Sequence, residues 1–495
     1  MVDRPHSSSK NAKRWLCIAY AFPPINRSGT HRTLGFVRHL HQAGWHAGVV
    51  TVAPDDESLD ADSLAAVPAD TRVHRTSCVD LIARVKQAES RLKFWLGRAP
   101  ASCPSQDGSA DGPSPDADSP RSLRDYVSRL LTTPDSRLGW IAPAVRACRQ
   151  EIRRRRPDVM YSTSPCMSAH LIALIVSHGT RIPWVADFRD PWRGNPFRNF
   201  RYRSLDCWDG WLERWVIRRA DRIVCNTPTL LKRVRMRHEC ARHKSVTILN
   251  AFDKECLEGL KPKRCVGEAL FLMTHCGQFY GRRSPEVWFQ ALRKLTSAAP
   301  EAAKRFRLAL IGAEDYHGRS LRAMARAAGV GDQVCVLGRM GHREAWCHMY
   351  GSDALALAGA SGPASELQIP NKLFEYLALQ RPILAAVDRA NPAVAILHAA
   401  GAVAEVCAPD DAGAMASAMD KLMHVDRLAR RDRWHGVEAF ERGRRASELI
   451  ALFEGLTDPM VRRGRQIGSP ASLPLGEMLL PSRRVFDDVT GPVYR

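Results

Sequence analysis

The residues with the clearest chemical capacity lie in one run, Ile369-Pro-Asn-Lys-Leu-Phe-Glu-Tyr-Leu-Ala378, followed by Arg381-Pro-Ile-Leu. Pro370 suits a helix start. Asn371, Lys372 and Glu375 then fall near the first turn, facing the strand ends. Free N–H groups at a helix N-terminus suit a phosphate, and Lys372 adds positive charge. A carboxylate one turn later can accept both hydroxyls of a ribose. The competing reading is that Glu375 only complements the helix dipole. A second set, Asp187, Arg189 and Asp190, follows the end of a strand and faces a cleft. A carboxylate there can take a hydroxyl proton, and Arg189 can hold a charged group. The alternative is an internal Asp–Arg salt bridge that shapes the loop. His31 and Arg32 open an earlier helix, where His31 can assist proton transfer or serve only as a helix-start residue.

These groups need a scaffold, and the hydrophobic periodicity supplies one. Residues 15–20 read as an apolar strand, 32–43 as a helix closed by Gly44, and 47–52 as the next strand. This βαβ unit implies a parallel sheet. The alternation resumes at 142–155 with a helix and runs on with strands at 159–163, 184–188, 222–225 and 245–249. Helices are expected between them at 167–178, 208–219 and 228–237. A second alternating set begins at 269–276 and includes helices at 286–297, 319–328, 342–350 and 371–379. Residues 437–453 read as a closing helix.

The expected domains are a disordered N-terminus at 1–14 and a first α/β domain at 15–250, with a linker at 251–268. A second α/β domain follows at 269–436, then a C-terminal helix at 437–457 that crosses back to the first domain, and a loose tail at 458–495. Residues 99–120 are rich in Pro, Ser, Asp and Gly and read as a disordered insertion. In doubly wound sheets of this kind, ligands bind beyond the carboxyl ends of the strands.

Charge is the unusual bulk property. Lys+Arg is 73 against 52 Asp+Glu, a net charge of +21. That excess suits contact with nucleic acid, acidic lipid or phosphate-rich substrates, or is simply a basic surface. The charge is dispersed, and no zinc, RNP-like or helix-turn-helix signature accompanies it, so no nucleic acid is expected. The 14 cysteines include no Cys-x-x-Cys pair, which fits reduced thiols better than disulfides or zinc. The apolar run at 15–22 is too short for a secretory signal, and no run approaches a membrane span. The expected location is cytoplasmic, at most on the inner face of the membrane. A basic helix at 79–96 and the basic face of 201–219, with Trp95, Trp208, Trp211 and Trp215, can lie on anionic lipid. Packing of both helices on their own sheet is the alternative.

The ordered set of segments resembles the family 4 glycosyltransferases. Phe374-Glu-Tyr-Leu-Ala378 with Arg381-Pro-Ile-Leu resembles the family's donor motif. Ala19-Tyr-Ala-Phe-Pro-Pro24 with Ser28-Gly-Thr-His-Arg32 resembles its first loop, and Gly277-Gln-Phe-Tyr-Gly-Arg-Arg-Ser-Pro285 its diphosphate loop. Ala186-Asp-Phe-Arg-Asp-Pro-Trp192 resembles a motif of one branch; Ala220–Thr227 and Val246–Asp253 resemble the end of its first domain. The resemblance spans roughly residues 15–455.

It implies the GT-B fold: two Rossmann-like, doubly wound parallel-sheet domains facing across a cleft. It implies transfer of a sugar from a nucleoside-diphosphate sugar to a hydroxyl, with retention, in cell-surface or exopolysaccharide or glycolipid biosynthesis. The acceptor is then a glycan or a lipid-linked one. Glu375 would hold the ribose, and Lys372 with Arg282 or Arg283 would neutralise the diphosphate; Gly277 and Gly29 would let backbone approach the donor. No cofactor and no metal are expected, because cations and N–H groups stabilise the leaving diphosphate. Front-face attack, with a departing phosphate oxygen taking the proton, makes a protein base inessential. The family often has two Glu residues separated by seven; here the position at that spacing is Leu367, and Glu366 stands one residue off. Glu366 would then reach the sugar through a bulged loop, or the 367–370 backbone would replace it. The rival readings are a sugar-nucleotide epimerase of the same fold and a basic, non-catalytic nucleic-acid-binding protein.

Overall fold

Strands Val159–Thr163, Trp184–Phe188, Arg222–Cys225 and Ala354–Ala358 are buried at every position. Only a sheet covered on both faces allows that, and parallel α/β sheets are covered in this way. The structure, a computed structural model, describes residues 13–25, 27–54, 59–85, 87, 123–195, 200–362, 365–425 and 434–458. The segment expected as an insertion, 99–120, lies outside them, as do residues 1–12 and 459–495, most of the basic segment 79–96 and its Trp95.

The first sheet has seven strands: β1 Lys13–Ala19, β2 Trp45–Val52, β3 Arg72–Thr76, β4 Val159–Thr163, β5 Trp184–Phe188, β6 Arg222–Cys225 and β7 Ser245–Thr247. Their order is β3-β2-β1-β4-β5-β6-β7, all parallel. In the second domain come β8 Phe271–Cys276, β9 Phe306–Ile311, a small hairpin of β10 Asp315–Tyr316 and β11 Arg319–Ser320, then β12 Val334–Gly338, β13 Ala354–Ala358, β14 Ile383–Ala386 and β15 Ala404–Cys407. The larger sheet runs β12-β9-β8-β13-β14-β15, also parallel. Both sheets reverse their winding next to their first strand, at β1/β4 and at β8/β13. The crevices at those two points are where a doubly wound sheet admits a ligand.

Side chains alternate between the two faces of a strand, and each sheet accordingly has an apolar cluster on either side. Leu16 and Ile18 join Met160 and Trp184 on one face of the first sheet. Trp15 and Cys17 join Tyr161 and Val185 on the other. That second face is completed by the last helix, Arg442–Thr457, through Ala446, Leu449, Phe453 and Leu456. Phe453 meets Trp15 edge-on at 5.6 Å, and Lys13 Nζ lies 2.7 Å from Glu454.

Several elements differ from the expectations. β1 starts at Lys13, not Trp15, paired with Trp45. β3 was not anticipated, because Arg72-Val-His-Arg-Thr76 is a polar edge strand. The expected helix 319–328 divides into β11 and a helix Leu321–Ala327. His317 and Gly318 adopt left-handed backbone (φ 52° and 75°) and turn the hairpin that precedes it. Residues 437–453 divide into a 3₁₀ turn, Val437–Phe440, and the final helix.

Candidate functional site

The second domain builds its half of the cleft from the loop after β8 and the Lys372–Leu379 helix. Tyr376 fixes that helix against the strand ends: its hydroxyl accepts from the Cys276 N–H at 3.1 Å and donates to Ala356 O at 3.2 Å. The first turn then stands beside Gly277. Lys372 Nζ lies 2.8 Å from Glu375 Oε2, both partly buried. Burial pushes the Glu375 carboxyl up, but the Lys372 ammonium overrides it and holds the group well below the usual carboxylate range. Burial alone would lower the Lys372 ammonium, but the Glu375 carboxylate outweighs it and holds the group charged. His342 Nε2 is 3.8 Å from Glu375 Oε1, too far for a hydrogen bond. Its Nε2 is already taken up as acceptor of the Trp346 indole N–H at 3.1 Å. Lys372 is therefore the partner that matters to Glu375.

The Gly277 loop approaches a second backbone. Gly277 N donates to Ile311 O at 2.8 Å, and a Cβ on Gly312 would stand 3.2 Å from Gly277 O. Arg283 stacks on Tyr280 with its guanidinium 4.9 Å from the ring centroid; Nη1 donates to the Tyr280 hydroxyl at 2.7 Å. Its buried Nε has no partner. Arg282, exposed, lies against Gly362 so closely that a Cβ there would collide with Nη1. Beneath the loop, His275 Nδ1 bonds Ala356 O at 2.9 Å while Nε2 is left without a partner beside Gly277. Burial pushes the His275 imidazole down to about 4, so it stays neutral.

In the first domain the three residues after β5 part company. Asp187 was expected to face the cleft; it is instead fully buried. It takes both arms of Arg32 (Nε 3.1 Å, Nη2 3.0 Å), the Tyr161 hydroxyl at 2.5 Å and the Thr163 hydroxyl at 2.8 Å. Burial alone would raise its carboxyl, yet Arg32 and these donors hold it low. With its acceptor capacity filled, Asp187 shapes the loop and has no oxygen free for a substrate proton. The salt bridge thus exists, but its partner is Arg32 and not Arg189. Arg189 is also buried, with its N–H on Ser164 Oγ at 2.8 Å, and a Cβ on Gly29 would stand 3.0 Å from its Nη1. Asp190 is the carboxylate that reaches the cleft. Gln368 of the second domain donates to it at 2.7 Å, and burial raises its carboxyl against the pull of Arg189.

The halves meet at several further points. His31 stacks on His342 with centroids 4.3 Å apart, and burial pushes its imidazole down to about 3. A helper in proton transfer would need the opposite shift at neutral pH. Arg32 Nη1 donates to Asn250 Oδ1 at 3.0 Å, and the Asn250 amide donates to Asn371 Oδ1. The core of the first domain is thereby tied to the start of the Lys372–Leu379 helix. Thr227 and Thr229 donate to the carbonyls of Leu367 and Glu366 at 3.2 and 2.7 Å. The Glu366 side chain pairs with Arg233 at 3.0 Å. It is therefore engaged by the first domain and does not turn toward Lys372 and Glu375.

Lys372, Glu375, Gly277, Arg282, Arg283, Asp190 and Asn371, expected from the sequence, lie at this cleft. His342, Gln368 and Asn250 join them through contacts across the two domains, and His275 through Ala356 within the second; no local motif marks these four. Two other groups lie elsewhere. Asp60 and Asp62 form an Asp-x-Asp pair, but Asp60 caps the Ala61–Ala65 helix through Ser63 N. Among the described residues His41, His46 and Asp70 lie close enough to share an ion. His41 lies at the end of the Ser28–Gln42 helix, His46 at the start of β2 and Asp70 just before β3, at the amino ends of the strands and away from the cleft.

Comparisons with known proteins follow the same division. A family model described as Glycosyltransferase Family 4 matches residues 108–255, and one described as Glycosyl transferases group 1 matches 275–424. A search of curated proteins finds no match. Among solved structures, sucrose-phosphate synthase from Thermosynechococcus elongatus is similar at 13% identity and a TM-score of 0.59, covering 90% of this chain and 99% of that one. A glycosyltransferase from Rickettsia africae has 11% identity and a TM-score of 0.57, over 91% of this chain and 100% of its own. HepE from Anabaena, in complex with UDP-glucose, has 14% identity and a TM-score of 0.51, over 94% and 99%. At these identities the likeness is one of fold.

Proposed function

The chain belongs to glycosyltransferase family 4, of GT-B type, and from that premise we propose that it moves a sugar from a nucleoside-diphosphate donor to a hydroxyl acceptor with retention of configuration. The observation that carries the donor site is the Lys372–Glu375 pair at the first turn of its helix. An ionised carboxylate accepts two ribose hydroxyls. Lys372, the helix N-terminal N–H groups, Arg282 and Arg283 face the diphosphate. Stabilising the charge that grows on that leaving group is the main electrostatic task of such a reaction.

The pairing of Glu366 with Arg233 favours the backbone at 367–370 for the contact with the sugar. The acceptor, a glycan or a lipid-linked one, enters from the first domain beside Asp190. Either Asp190 or a departing phosphate oxygen receives its proton. The pathway class is cell-surface or exopolysaccharide or glycolipid assembly, at the cytoplasmic face of the membrane. The net charge of +21 and the Trp- and Arg-rich helix of the first domain support that location. Among the described residues, no helix is long and apolar enough to cross a membrane.

The test is thermal stability against UDP-, GDP-, ADP- and CMP-sugars, UDP-sugars first because HepE was solved with UDP-glucose. A ligand at a hundred times its dissociation constant stabilises the native state by about 2.7 kcal/mol. One nucleotide class should raise the melting temperature, and Glu375→Ala should abolish the rise. No shift with any donor at millimolar concentration would overturn the proposal.

A further inference from the structure

The Arg203–Arg219 helix has two unlike faces. Its inner face packs Leu205, Leu212, Val216 and Ile217 into the first domain. Its acidic residues are all engaged by the protein. Asp206 takes Arg193 Nη2 at 2.6 Å, Asp209 the Trp192 indole N–H at 3.0 Å, and Glu213 pairs with His238 at 3.2 Å. The outer face is left with Arg203, Ser204, Cys207, Trp208, Trp211, Arg214, Trp215 and Arg218. No acid stands among them. Trp208, Trp211 and Trp215 are 43, 47 and 43% exposed. They form one ladder, with centroids 5.0 Å and then 5.4 Å apart. The spacing i, i+3, i+7 puts them on one stripe about 10 Å long.

Exposed tryptophan in such a cluster is unusual on a soluble surface, and here the charged residues on the same exposed helix face are all arginines. Tryptophan favours the headgroup level of a bilayer, where its ring is half buried and its N–H is wet. Arginine beside it attracts anionic lipid. A neighbouring helix, Leu123–Leu130, buries none of its residues, and its Leu123 is 81% exposed. It is tied to the start of the Trp-bearing helix through Tyr202 to Asp125 at 2.8 Å and Ser204 to Tyr126 at 3.3 Å.

We infer that the outer face of the Arg203–Arg219 helix, with Trp208, Trp211, Trp215, Arg214 and Arg218, docks the protein on an anionic lipid bilayer surface. Trp208 and Trp211 stack on one another at 17° and Trp215 lies tilted at 55° to Trp211, so the rings contact one another and do not stand apart to receive bases. Trp192 and Arg193, two and three residues after Asp190, bond Asp209 at 3.0 Å and Asp206 at 2.7 Å on this helix. Docking there brings the acceptor side of the cleft near the lipid surface. In that respect the inference deepens the reading of a lipid-linked acceptor and rests on it. The docking itself stands on the helix face.

The experiment is co-sedimentation of the full chain with phosphatidylcholine vesicles, with and without phosphatidylglycerol, together with tryptophan emission. Binding to the anionic vesicles with a blue shift is expected. Removing two arginines, Arg214→Gln with Arg218→Gln, should weaken it about thirtyfold, at roughly 1 kcal/mol per arginine. Trp208→Ser, Trp211→Ser and Trp215→Ser together should abolish the blue shift. Donor-induced thermal stabilisation in each variant checks that the fold and donor site persist, so failure of docking is read separately from failure of the transferase reading. Equal binding by wild type and variants, or none to anionic vesicles, overturns the inference. So does salt-sensitive binding to single-stranded DNA that is lost in the tryptophan variant without any vesicle binding.

Discussion

Asp187 and Asp190 sit three residues apart in one loop and yet have opposite chemistry. Asp187 is saturated by Arg32, Tyr161 and Thr163, all inside the first domain. Asp190 faces Gln368 across the cleft with its carboxyl raised by burial. The two substitutions should therefore separate cleanly. Asp187→Ala leaves the Arg32 guanidinium buried without its counter-charge, which costs about 3–5 kcal/mol of unfolding free energy in urea. Asp190→Asn should leave stability within about 0.5 kcal/mol and lower kcat about a hundredfold if its carboxylate takes the proton. Retained kcat in Asp190→Asn would assign the proton to the leaving phosphate. The difference between the two was not legible in the sequence, because Arg32 lies 155 residues before Asp187. Lys372 and Glu375 were legible because their relation is local, three residues apart on one helical turn. The pairing of Glu366 is hidden in the same way, since its partner Arg233 lies 133 residues before it.

At the scale of elements, the apolar repeats marked most strands and helices of both sheets because burial on two faces demands continuous apolar runs. Elements with polar sequence escaped. β3 is an edge strand, and the start of the Arg203–Arg219 helix, Arg-Ser-Leu-Asp-Cys, carries one large apolar residue in five. The final helix is the element whose effect reaches furthest, since it follows the second domain in sequence yet completes the core of the first. Phe453 is fully buried among Trp15, Trp45 and Tyr161. Phe453→Ala should lower the stability of the first domain by about 3–5 kcal/mol. Urea unfolding followed by Trp emission checks it. A loss confined to the second domain would mean that the helix does not hold this position in solution.

The whole molecule carries a buried neutral histidine in each domain, and this sets its response to acid. His170 is enclosed in the first, its Nδ1 2.8 Å from Ser162 Oγ, and burial pushes it down to about 3. His275 is enclosed in the second at about 4. Each begins from an ordinary value of 6.5. Between 6.5 and the lowered value the unfolded chain binds a proton that the folded chain refuses. Stability is thus fully present above 6.5 and declines as pH falls below it, by up to about 1.4 kcal/mol per pH unit for each histidine. The strong carboxylates Glu375 and Asp187 do not add to this slope. Their depressed values keep them ionised through the window, and their contribution is lost only below the ordinary carboxylate range. Urea unfolding at pH 7 and pH 5 should therefore show both domains weakened. His170→Phe should lessen the decline in the first domain, where His31 keeps a share, and His275→Phe that in the second. A decline unchanged by both substitutions would place the acid sensitivity in His31, stacked on His342 in the cleft, which burial also pushes down to about 3.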